Sequence, residues 1–146
     1  MSLNDWHKNG WLRKHETSKQ EIGDLFHVAD RDLLDCEAKG LSPDWKLSIA
    51  YNAALQLATA ALAACSYRAE RIAHHYRTIQ SLTYTIGADL QLVRQFDQFR
   101  KKRNTGAYER AGATSDQEAQ EMLELAKSLR KEIVSWIQKH HPALTS

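Results

Sequence analysis

The densest chemistry in the sequence lies in the run Arg100-Lys101-Lys102-Arg103-Asn104-Thr105-Gly106-Ala107-Tyr108-Glu109-Arg110. From Arg94 to Arg110 six cations face two acids, Asp97 and Glu109, so this segment carries a net charge of +4 in a chain of +2. Leu92, Phe96, Phe99 and Arg103 recur at spacings of four, three and four, which sets them on one helical face. Arg103 therefore continues an apolar stripe, while Lys101 and Lys102 point elsewhere. An unpaired charge is costly to bury, so this guanidinium needs a partner or a cleft. It is always charged, and its planar fork matches phosphate oxygens. Arg103, with Arg100 and Lys102, forms the candidate ligand-binding set. The lysines have a second explanation, because cations near a helix C-terminus complement its dipole.

His74 and His75 form a second constellation. Neighbours on a helix point about 100° apart, so one zinc ion does not readily take both. Neither has a cysteine or carboxylate at ligand spacing, and no metal site is expected. With Arg68, Arg71 and Arg77 they extend a basic surface if their helix packs near that of Arg103. One packed and one exposed histidine is the plainer alternative. His140 and His141 suit the dipole of the last helix. Cys36 and Cys65 fall in apolar helical stretches and read as reduced thiols. No glycine-rich phosphate loop, nucleophile elbow or zinc-binding helix motif occurs, and no cofactor is implied.

The elements that must position these residues are helices. The 146 residues are 42% apolar and 26% charged, with only 6 Gly and 2 Pro, which favours long helices over many strands and turns. That length suits one domain, 1–146, with 1–16 as an arm or short helix anchored by Trp6, Trp11 and Leu12. A first long helix is expected from Ser18 to Lys39, with Ile22, Phe26, Ala29, Leu33 and Cys36 on one face. Gly40 suits its C-terminal cap. Ser42-Pro43-Asp44 starts a second helix that runs to about Ser66 and is rich in alanine. A third is expected from Glu70 to Ile86, with Ile72, Tyr76, Ile79, Thr83 and Ile86 as its stripe. A fourth begins near Ala88-Asp89 and fades near Asn104-Thr105-Gly106. Ser115-Asp116-Gln117-Glu118 opens the fifth with a capping box, and it stops before Pro142. No segment has a convincing strand pattern. Trp45, like Trp6 and Trp11, reads as a core anchor. The fold expected is all-α, an up-and-down antiparallel bundle of about five helices. The stretch Leu47 to Cys65 carries Asn52, Gln56 and Thr59, so it reads as a core helix and not a membrane span. The polar N-terminus and the lack of a signal peptide point to the cytoplasm.

Phe99-Arg100-Lys101-Lys102-Arg103-Asn104-Thr105-Gly106-Ala107-Tyr108 resembles the signature of the HEPN superfamily. In that signature an arginine and a polar residue are followed within a few positions by histidine or, in some branches, tyrosine. Ala50-Tyr51-Asn52-Ala53-Ala54-Leu55, Ala60-Ala61-Leu62 and His74-His75-Tyr76-Arg77-Thr78-Ile79 are similar to the preceding helices of that family, so the likeness spans Ser18 to His140. The resemblance implies a helical bundle, often a homodimer, with the motif at a cleft. Many members are metal-independent ribonucleases, or act beside nucleotidyltransferases in toxin–antitoxin and defence systems. By position, Arg103 would be the motif arginine, Asn104 its polar neighbour and Tyr108 the counterpart of the nuclease histidine.

That tyrosine is a departure with consequences. An ordinary tyrosine has a pKa near 10 and is a poor proton carrier at neutral pH, although it can stack on a base or bond a phosphate. It fits a helix-end packing role equally well. The pattern therefore favours a nucleotide-, RNA- or partner-binding member over an active nuclease. The rival is a metal-independent endoribonuclease in which His74 or His75 replaces the missing histidine. A structural dimer is a third option and predicts a motif closed by internal salt bridges.

Overall fold

The computed structural model describes residues 1–108 and 113–145, with the side chains of 105–108 left out of the description. Six α-helices occur among the described residues: α1 (Leu3–Lys8), α2 (Lys19–Asp35), α3 (Pro43–Ala64), α4 (His74–Gln80), α5 (Leu90–Tyr108) and α6 (Asp116–His140). A two-stranded antiparallel ribbon joins β1 (Leu12–Lys14) to β2 (Tyr67–Ala69), with Leu12 opposite Ala69 and Lys14 opposite Tyr67. The fold is a mostly α-helical bundle, as the periodicities require.

The central element is α3. Its N-cap is Ser42, whose Oγ accepts the Trp45 N–H at 3.2 Å, with Pro43 in the first turn. Ala50, Ala54, Ala58 and Ala61 are fully buried along it. Small side chains let other helices approach closely, and α6 and α2 pack most extensively against it, with α4 and α5 completing the surround. Among the described residues α3 is the one helix long and apolar enough to cross a membrane, and 78% of that stretch is buried inside the fold. Two of the polar groups along it find partners: Asn52 donates to the buried Asp32 carboxylate of α2 at 2.7 Å, and Thr59 donates to the Leu55 carbonyl at 2.8 Å.

The last helix carries the capping box expected at Ser115 and Glu118. It presents Met122, Ala126, Leu129, Ile133 and Ile137 to the core. Arg130 fastens it to α2 through a two-pronged ion pair with Asp30.

The structure departs from the sequence-based expectation in four places. The helix expected over Glu70–Ile86 is broken up. Ser66 and Ala73 adopt positive φ, so the chain turns out of α3, pairs as β2, and resumes as α4 only at His74, followed by a 3-10 turn at Ser81–Thr83. Ile72, expected on a core stripe, lies in that connection and is 88% exposed. Three-residue strands whose partners lie more than fifty positions apart leave no periodic signal, which is why β1 and β2 were not legible. Trp45 is 66% exposed and anchors no core, because it points away from the face that α3 turns to its neighbours. Finally, α5 runs through Gly106 to Tyr108.

Trp6 does anchor a core, a small second one with Leu12, Leu62, Tyr67 and Ala69 under the ribbon. Arg77 of α4 lies 3.7 Å from the ring centre of Trp11, tying this cluster to the bundle.

Candidate functional site

Along α5, Phe96 is fully buried and meets the Tyr51 ring of α3 edge-on, 5.6 Å between centres. Two turns later Arg103 reaches the same ring, its guanidinium carbon 5.1 Å from the centre. The apolar stripe thus ends in a cation held against an aromatic face. Arg103 is half-buried, and no carboxylate stands within ion-pair distance of it among the described residues.

Tyr51 is 1% exposed, and its hydroxyl lies 3.1 Å from Nδ1 of His75. Burial pushes the pKa of this phenol up to about 12, against the opposing pull of Arg103 and Arg100. The hydroxyl therefore keeps its proton, and Nδ1 is the acceptor it has among the described residues. When the hydroxyl donates to Nδ1, neutral His75 carries its proton at Nε2. Burial foremost, then the charges of Arg103, His74 and Arg100, lower the pKa of His75 below 6.5. His75 is therefore mostly neutral at pH 7 and offers an N–H donor on the far side of its ring.

His74 takes the opposite tautomer. Its Nδ1 sits 3.1 Å from the Ala69 carbonyl oxygen and 3.2 Å from that of Glu70. Carbonyls only accept, so Nδ1 carries the proton, and neutral His74 keeps its lone pair at Nε2. The two imidazoles are 6.0 Å apart. One fixed ring with a donor at Nε2 therefore stands beside another with an acceptor there.

The remaining candidates divide. Arg100 donates to Asp97 at 2.7 Å and lies 5.5 Å from the Tyr76 ring centre, while Lys101 reaches the other Asp97 oxygen at 3.6 Å. Lys102 turns to α6 and pairs with Glu118 at 3.4 Å. Asn104 is exposed beside Arg103. The Tyr108 side chain lies outside the described residues. The structure therefore brings Arg103 and His75 together through Tyr51, keeps Arg100 and His74 beside them, and carries Lys102 to another side of α5. Among the described residues no three His, Cys, Asp or Glu side chains gather as metal ligands.

Tyr51, which the sequence shows only within the stretch Ala50-Tyr51-Asn52-Ala53-Ala54-Leu55, is a site residue it does not single out. Its signal was a hydroxyl in the middle of an alanine-rich core helix, since a buried Tyr O–H needs a partner. Chemically the arrangement offers a guanidinium fork with no carboxylate on it among the described residues, a donor suited to an anion, while Arg100 beside it is already paired with Asp97.

Comparison with known proteins yields no match: no family model, no curated protein and no solved structure matches the chain.

Proposed function

We propose that this protein is a HEPN-like helical bundle that binds a phosphate-bearing ligand, a nucleotide or RNA, through Arg103, with Asn104 and Tyr108 completing the motif and Arg100 reinforcing the charge. One observation carries the reading. Arg103 is half-buried against the Tyr51 ring, whose hydroxyl bonds His75, with no carboxylate on it among the described residues. A cation kept for internal stability would be expected to sit on one of the acids that occupy Arg100, Lys101 and Lys102. The same reading makes the protein a cytoplasmic homodimer and a component of a toxin–antitoxin or defence pair, with a nucleotidyltransferase-type protein as its partner. The test is binding of a fluorescein-labelled single-stranded RNA and of ATP to the wild type and to Arg103→Ala. We expect at least tenfold weaker binding in the variant. Equal binding by a folded Arg103→Ala protein would refute the assignment.

The lone pair that the carbonyl contacts of Nδ1 leave at His74 Nε2 supports a second reading, a metal-independent endoribonuclease with His74 as the base and Arg103 on the phosphate. Its requirement is RNA cleavage in excess chelator that falls in His74→Ala, in His75→Ala, or in both. No turnover above a His74→Ala, His75→Ala, Tyr108→Phe triple variant would remove it.

A further inference from the structure

Flanking the face of α5 that carries Arg103, on the side turned to α6, two helix faces meet without closing. Between α5 and α6 lies an open cavity of about 520 Å³ bordered by Leu92, Gln95, Glu121, Glu124 and Glu132. A second, of about 300 Å³, continues it past Phe99 to Lys102 and Glu118, sharing Gln95 and Glu121 with the first. Together they make a trench along α6 from Glu118 to Glu132, about 21 Å long at 1.5 Å per residue. That is the length of a four-turn helix.

Its chemistry is layered. Leu92, Phe99 and Leu125 supply an apolar floor, of which Phe99 and Leu125 are each 6% exposed. Asp89, Glu121, Glu124 and Glu132 stand along the walls, and the one cation lining it among the described residues, Lys102, is already paired with Glu118. Arg94 and Lys131, on the same two helices, do not line it. In a chain of net charge +2 this is a sharp segregation of negative charge. It repels nucleic acid, so it is no extension of the Arg103 site. An apolar floor between acidic walls matches a helix with a leucine stripe flanked by lysine and arginine.

We propose that the α5–α6 trench docks a basic amphipathic helix of a partner protein. The partner's apolar stripe lies on Leu92 and Leu125, and its cations meet Glu121, Glu124 and Glu132.

The probe is a labelled 18-residue peptide with leucines at alternating spacings of three and four and lysine or arginine elsewhere, titrated into the full chain by fluorescence anisotropy. We expect saturable one-to-one binding, at least tenfold weaker for Glu121→Gln, Glu124→Gln, Glu132→Gln combined and at least tenfold weaker for a peptide with its leucines changed to serine. These glutamates are exposed, so the variant should fold, which circular dichroism checks. Arg103→Ala should bind the peptide as the wild type does, which separates this result from the fate of the RNA site. Equal binding by the triple variant, or equal binding of the serine peptide, would overturn the proposal. So would self-association through this face, seen in sedimentation as a dimer that the triple variant loses and the peptide cannot displace.

Discussion

The Tyr51 hydroxyl hydrogen-bonds Nδ1 of His75 at 3.1 Å, joining the central helix to the short helix that carries both candidate histidines. Removing one partner of a buried hydrogen bond costs on the order of 1 kcal/mol. Tyr51→Phe should therefore lose about that much in urea unfolding. It should also raise the pKa of His75, because the bond stabilises the neutral ring. NMR titration of the His75 ring checks the second effect, and an unchanged or lowered midpoint would contradict the assigned tautomer.

Stability should fall in mild acid partly because of His75. Its folded pKa lies below the ordinary 6.5, mainly through burial. As pH drops below 6.5 the unfolded chain takes up a proton that the folded chain resists. Unfolded molecules then bind more protons, so stability is fully present above that pH and declines below it. His75→Gln, whose amide oxygen can accept the Tyr51 proton, should flatten part of this decline in pH-resolved urea melts. His141, also lowered by burial and by His140, should keep a residual slope.

Arg103→Ala should barely change folding stability. The side chain is half-buried and makes a ring contact but no ion pair among the described residues, so its loss should cost about 1 kcal/mol or less. A thermal melt distinguishes this from a structural arginine, whose removal would cost several times more.

Ala58→Leu should destabilise by about 1–3 kcal/mol. Ala58 is fully buried in α3, where close helix approach leaves no room for a larger side chain. Chemical denaturation measures it, and a stability equal to wild type would mean that α3 has slack that its alanines do not suggest.

Ser115→Ala should cost about 1 kcal/mol, since the Ser115 hydroxyl accepts the Glu118 N–H at 3.0 Å and the Glu118 carboxylate takes the Ser115 N–H at 3.0 Å. The same pairing holds the Glu118 carboxyl below the usual range, the Ser115 backbone N–H foremost. Glu118 is therefore already ionised at neutral pH when it meets Lys102.

Helix content, the caps at Ser42 and Ser115 and the inward stripe ending at Arg103 were all legible in the sequence. They depend on residues within one turn of each other, where spacing and propensity speak directly. The strand at residues 67–69 and the loss of helix over 70–73 were not legible, because their cause is pairing with β1, a distant partner. The same holds for the site. That Arg103 would need a partner follows from its place on an apolar face. That the partner is the Tyr51 ring, that Tyr51 reaches His75, and that Lys102 is drawn off to Glu118 are decided by which helices pack side by side. Charge type is written into each residue, but whether a charge is neutralised or left available depends on the neighbours that folding brings within a few ångströms.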